Sequence, residues 1–103
     1  MKDLLAILKT AVSCGASEIR ISADNPPMMR INDGPAQAFA DTPALSARQA
    51  EDLVYSALYD EQRAKLAASL VLDASFAIKG CGRFQMKVTL MPNGVYSVIR
   101  VVP

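Results

Sequence analysis

The sequence predicts a single α+β domain, and three observations carry this prediction. A chain of 103 residues fits one compact domain, and 51% hydrophobic with 20% charged residues is typical of a globular protein. Apolar residues recur at the helical period early and in the middle of the chain, and they alternate at the strand period in the last third. Elements segregated in this way favour an antiparallel sheet with the helices on one side.

The helical period appears in three segments. Residues 3–13 form an amphipathic pattern, and Gly15 follows at a position that suits a left-handed C-cap. A second helix is predicted from Ser46, whose hydroxyl can accept a backbone N–H, and a third begins from Asp60 as a second N-cap. The pair spans roughly residues 46–68.

A hairpin is predicted between the first helix and the helix pair. Residues 18–22 and 28–32 read as strands that flank a Pro-Pro turn, and Asp33-Gly34 closes the second strand. Residues 35–45 show no clean period. They are predicted to be a loop with a short extended piece near Phe39.

The last third of the chain predicts three strands in an antiparallel meander. Turn signals at Gly80–Gly82 and Pro92–Gly94 separate alternating segments, and residues 95–102 are rich in β-branched side chains. The predicted order is therefore α-β-β-α-α-β-β-β.

The residue types that catalysis needs are missing. The chain has no histidine, so Cys14 and Cys81 lack an imidazole base and a partner for a zinc site. Two reduced, partly buried thiols are expected. No phosphate loop of the form G-x-x-x-x-G-K-[ST] occurs. We therefore expect no catalytic residue and no metal site, and we expect that this chain alone does not hydrolyse a nucleotide.

The charge pattern does not point to a polyanionic partner. The formal net charge is +1, and no block of one sign stands out, so neither nucleic acid nor an anionic membrane surface is indicated. Residues 4–8 are too short for the apolar core of a signal peptide, and no run approaches the roughly 20 apolar residues that span a bilayer. The expected compartment is the cytoplasm.

Two arginines fall near the ends of adjacent predicted strands. Arg83 begins a strand after a glycine turn, and Arg100 lies near the end of the next strand. If these strands pair, both side chains lie near the same end of the sheet, where two guanidiniums could grip a phosphate group. Two solvated surface arginines are the alternative, which composition alone favours.

Six short segments spread over the whole chain carry a family resemblance. They read G-A-S-E-I-R-I-S at 15–22, P-P-M-M-R-I-N at 26–32, D-E-Q-R at 60–63, L-D-A-S-F at 72–76, G-R-F at 82–84 and V-I-R-V-V-P at 98–103. In order and spacing they resemble the N-terminal domain of the PilT family of type IV pilus retraction (twitching motility) ATPases, within the wider secretion ATPase superfamily. The matching family patterns include G-A-S-D-L-H-L-S, P-P-M-x-R-[IV]-[DN]-G, D-F-S-F, A-R-F-R-V-N and V-x-R-x-I-P.

The resemblance implies a PAS-like fold for residues 1–103 and a RecA-like motor domain that this chain lacks. In the family, the full protein is a cytoplasmic hexamer that binds ATP and Mg between the two domains. The N-terminal domain supplies arginines to the phosphates, and the matching positions are Arg83 and Arg100. Fixed positive charge there stabilises the transferred phosphoryl group. The catalytic base and metal ligands belong to the motor domain, so no cofactor is expected on this chain alone.

The resemblance also implies the partners. They are the protein's own RecA-like domain, neighbouring subunits of the hexamer and inner-membrane proteins of the pilus machinery, with no nucleic acid and no direct membrane insertion. The chain departs from the family pattern at Arg20, where the family has His, at Gln85 and Lys87 in the strand after Arg83, and at Ala74. These departures indicate a divergent paralogue.

Three alternatives stay open. The chain could be a stand-alone interaction or regulatory module with no motor domain, or the N-terminal domain of a type II secretion ATPase. It could also be a PAS-like small-molecule sensor whose pocket is lined by Met28, Met29 and Phe84.

Overall fold

The computed structural model describes residues 3–32, 34–40 and 42–102. Asp33, assigned above to a turn, and Pro103, the last residue of the sixth segment, lie outside the described residues. The described part contains α1 (Leu4–Ser13), β1 (Ala16–Ser22), β2 (Met28–Ile31), β3 (Ala36–Ala38), α2 (Ala47–Tyr55), α3 (Asp60–Ser69), β4 (Val71–Ile78), β5 (Gly82–Met91) and β6 (Gly94–Val102). The predicted α+β class is confirmed.

The strands form one antiparallel sheet in the order β3-β2-β1-β6-β5-β4. The hairpin of β1 with β2 and the meander of β4, β5 and β6 are both confirmed. The first and last strands lie side by side at the centre, so the meander continues the hairpin into a single sheet.

The predicted order lacks one strand, because Ala36–Ala38 form β3 and pair with β2 where only a short extended piece near Phe39 was expected. All three residues of β3 are exposed. A strand with no buried side shows no alternation of apolar and polar residues, so periodicity could not reveal it.

The sheet has two unlike faces. Side chains on the inner face pack against the three helices, and the outer face is the opposite side, which carries the alternate residues of each strand. The buried side chains of the inner face are Ile19, Ile21, Met29, Leu72, Ala74, Phe84, Met86, Val88, Val95, Ser97 and Ile99. The outer face is therefore where polar chemistry is available.

The N-terminus of α2 agrees with the sequence prediction, and that of α3 does not. Ser46 caps α2 as predicted, because its Oγ accepts from Gln49 N at 3.1 Å while Gln49 Oε1 accepts from Ser46 N at 2.9 Å. Asp60 is not the N-cap of α3. That position is Tyr59, whose N–H donates to Gln62 Oε1 at 2.8 Å. Asp60 lies inside the first turn, where a carboxylate favours the positive end of the helix dipole.

The two thiols are both free, but only one is partly buried. Cys81 is half-buried, whereas Cys14 is exposed, which corrects the expectation for that residue. Cys14 is the C-cap of α1 and follows its last apolar turn, so it lies at the surface. Within the described ranges, no helix is long and apolar enough to cross a membrane.

Candidate phosphate-binding site

The strand register brings the two predicted site arginines onto the outer face. Arg83 on β5 lies opposite Val102 on β6, and Arg100 on β6 lies opposite Gln85 on β5. Arg83 and Arg100 are therefore diagonal neighbours on adjacent strands, about 7–8 Å apart at the backbone. Both side chains are exposed, so both are accessible to a ligand.

Each arginine lines a different concavity of the outer face. The larger concavity has a volume of about 530 Å³ and is lined by Arg100, Lys87 and Asp73 among others. The smaller concavity, of about 310 Å³, contains Arg83. Ser75 and Gln85 line both concavities, so they separate the concavity beside Arg100 from the one beside Arg83. A ligand with more than one phosphate group is long enough to occupy both concavities.

The outer face is strongly basic, a feature that was not predicted from the sequence. In the described strands it carries five cationic side chains and two acidic ones, while the whole chain has a formal net charge of only +1. The cationic side chains are Arg20, Arg30, Arg83, Lys87 and Arg100, and the acidic ones are Glu18 and Asp73. These residues are scattered along the chain, so no linear charge block marks them. Within each strand these residues occupy the alternate positions that face away from the helices. This alternation is the sequence signal that could have identified them.

Glu18 is the centre of a charge cluster on this face. Its Oε2 accepts from Arg20 Nε at 2.9 Å, and its Oε1 lies 4.0 Å from Arg100 Nε. Arg30 lies opposite Glu18 on β2, and Arg30 Nε is buried with no hydrogen-bond partner among the described residues. Two guanidiniums thus contact one carboxylate, and a third lies opposite it in the register, which leaves the cluster with excess positive charge.

The contact with Glu18 leaves Arg100 able to bind an anion. The Arg100 side chain is 73% exposed, while that of Glu18 is only 14% exposed. An ion pair with such an exposed partner contributes about 1 kcal/mol or less, so it does not hold Arg100 away from a ligand. The contact uses Nε and leaves the terminal nitrogens of the guanidinium for hydrogen bonds to oxygen.

The outer face offers no obvious place for a metal ion. Among residues 3–32, 34–40 and 42–102, no group of three or more His, Cys, Asp or Glu side chains could hold one. The excess of cationic side chains on this face favours an anionic ligand.

The residues proposed for a sensor pocket do not line one together. Met29 and Phe84 are buried in the core, and the Phe84 ring stacks on Phe76 with centroids 5.3 Å apart. Met28 lies on the other face of the sheet, opposite Arg20 on β1. The sensor alternative is therefore not favoured by the geometry.

Comparison with known proteins identifies two pilus ATPases that are similar to this chain in sequence. No family model matches the chain. It is 32% identical over 101 residues to the type IV pilus retraction ATPase PilT of Pseudomonas aeruginosa, which covers 98% of this chain and 29% of that protein. It is 30% identical over 94 residues to the type IV pilus ATPase PilU of the same organism, covering 91% of this chain and 24% of PilU.

Solved structures agree with the sequence comparison. A crystal structure of the pilus retraction motor PilT with bound ADP matches all of this chain and 30% of that one, with a TM-score of 0.92 and 30% identity. The ATPase DotB of Legionella pneumophila shares the fold, with a TM-score of 0.81 at 18% identity over 99% of this chain and 30% of that one. The chain thus spans less than a third of these relatives. It is a homologue of the N-terminal region of the PilT-type pilus ATPases, and it has the fold of their N-terminal domain.

Proposed function

We propose that this domain belongs to a longer pilus-retraction ATPase, in which Arg83 and Arg100 contact the phosphate groups of ATP. The observation that carries the proposal is the register of β5 and β6, which puts both guanidiniums on one basic face beside two adjacent concavities. The solved PilT structure that this fold resembles holds ADP, which supports a nucleotide as the ligand.

The position of the last described residues supports a nucleotide site between two domains. Val102 lies directly opposite Arg83, so a domain that follows residue 103 would begin beside the candidate site. Guanidiniums held there would stabilise the charge that develops on the transferred phosphoryl group. The motor domain would supply the phosphate loop and the catalytic base.

The same proposal assigns the metal and the partners. Bound Mg²⁺ would neutralise charge on the phosphates. Its ligands would come from the motor domain, because the described residues contain no acidic cluster for it. Neighbouring subunits of a hexamer and inner-membrane proteins of the pilus machinery would be the partners, at the cytoplasmic side of the inner membrane. The homology to PilT and PilU supports this assignment.

Two experiments test the proposal in sequence. The gene is first read beyond codon 103 for an in-frame G-x-x-x-x-G-K-[ST] within the next domain length. ATP turnover by the full-length protein is then compared for Arg83→Ala, Arg100→Ala and the control Arg48→Ala. Arg48 is an exposed arginine on α2 whose contact with Asp52 spans 3.8 Å.

We expect each outer-face variant to lower turnover at least about tenfold, because a charge-assisted hydrogen bond to the phosphate is lost. Arg48→Ala leaves turnover unchanged. A stop codon after position 103 would favour the stand-alone module, and full turnover in both outer-face variants would remove the two arginines from the site.

A further inference from the structure

The larger concavity of the outer face contains a second cation beside Arg100. Lys87 lines it together with Arg100 and Gln85. Lys87 lies opposite Val98 on β6, and Arg100 is two residues further along the same face. Lys87 and Arg100 are therefore diagonal neighbours, about 7–8 Å apart at the backbone, and both side chains can reach one ligand.

Lys87 and Arg100 differ in their ion pairs. Arg100 has Glu18 Oε1 at 4.0 Å from its Nε. Asp73 lies opposite Lys87 in the sheet register, but Lys87 makes no ion pair with any described residue. An unpaired lysine ammonium is a compact point charge with three donors, which attracts phosphate oxygens.

The spacing of the cations indicates the class of ligand. Arg83 and Lys87 are four residues apart on β5, which is about 13 Å along a strand, and Arg100 lies diagonally between them on β6. A single phosphate group over Arg100 contacts all three only if the Arg83 and Lys87 side chains both lean along the strand toward it, whereas a longer phosphate chain lies within reach of each cation without this. Three cations in a row match a chain of two or three phosphate groups.

We propose that Lys87 contacts a second phosphate group and that this face selects an oligophosphate over a single phosphate. The ligand class is a nucleoside diphosphate or triphosphate. This inference rests on the proposed function, because it uses Arg83 and Arg100 as the other two contacts. Lys87 stands where the related family pattern has Asn, so the contact is a property of this chain's own sequence.

The test uses the full-length ATPase and compares Lys87→Gln with Lys87→Arg. Calorimetric titration gives the ADP affinity, and competition against ADP gives the inhibition constants of pyrophosphate and orthophosphate. We expect Lys87→Gln to weaken ADP and pyrophosphate about five- to tenfold and orthophosphate less than twofold, because one charge-assisted contact is lost. Lys87→Arg retains most of the affinity. Asp73→Asn strengthens ADP binding, because it removes the negative charge nearest to Lys87.

A matched control and a melting curve separate this result from a folding defect. Lys65→Gln changes an exposed lysine on α3, on the helix side of the sheet, and leaves all three constants unchanged. Lys87 is itself exposed, so its variants should keep the thermal midpoint of the parent.

Each outcome bears on a different part of the inference. Unchanged ADP affinity in Lys87→Gln, with weakened binding in Arg83→Ala and Arg100→Ala, overturns the role of Lys87 and leaves the proposed function standing. An equal loss for orthophosphate and pyrophosphate overturns the oligophosphate class. If neither arginine matters, the proposed function fails together with this inference.

Discussion

At the scale of single residues, Ser97 is the one described polar residue in the buried core. Its hydroxyl has no hydrogen-bond partner in the part of the chain that the structure describes. It lies on the inner face of β6, opposite Ile21 on β1 and Val88 on β5. A buried hydroxyl without a partner costs about 1–3 kcal/mol of stability, so this position is a local defect in an apolar layer.

We expect Ser97→Ala to raise the free energy of unfolding by about 1 kcal/mol. The change removes an unsatisfied polar atom and leaves a gap smaller than a methyl group, so the cavity cost is small. Urea denaturation measures the difference. Ser75→Ala, on the exposed outer face, is the control and should stay within about 0.5 kcal/mol of the parent. A lower stability of Ser97→Ala would mean that the hydroxyl has a partner in solution.

At the scale of elements, the junction of α3 and β4 carries backbone strain. Leu70 ends α3 with φ of +64°, in the left-handed region that side chains with a Cβ disfavour. Its side chain is largely exposed, and its carbonyl accepts a hydrogen bond from Leu90 N at 2.8 Å. The conformation is therefore fixed by the helix end and the neighbouring strand, and burial of the leucine side chain contributes little to it.

Leu70→Gly should raise the free energy of unfolding by about 0.5–1 kcal/mol. Glycine adopts this conformation without steric cost and is the usual residue at this position of a helix end. Thermal unfolding of the variant against the parent measures the effect. Leu66→Gly, inside the same helix and buried, is the contrasting control and should be strongly destabilising. A lower melting temperature for Leu70→Gly would show that the leucine side chain contributes more than the strain costs.

The helices and strands with one face buried against the core were the ones that could be predicted from the sequence. The alternation in β5 and β6 and the helical period of α1 follow from an apolar face against a core. The exposed strand β3 has no such face, so the sequence predicted only a short extended piece near Phe39 and not a paired strand. The N-cap of α3 was misplaced because Asp60 is favourable both as a cap and in the first turn, so residue type does not separate the two positions.

At the scale of the whole molecule, the site depends on the sheet and not on any one segment. The position of Arg83 relative to Arg100 was predictable, because a tight turn joins their strands and fixes the register. The basic outer face was not, because β1 and β2 contribute Arg20 and Arg30 from residues distant in sequence. A net charge near zero conceals a surface on which cationic side chains are concentrated.

A crystal structure of the full-length protein with ADP would show whether Arg83 and Arg100 contact the phosphate groups of the nucleotide. We expect guanidinium nitrogens of both residues about 2.7–3.2 Å from phosphate oxygens, with the nucleotide lying over the concavities that Ser75 and Gln85 separate. Phosphates bound away from the outer face, with both arginines surrounded by solvent, would remove these arginines from the nucleotide site.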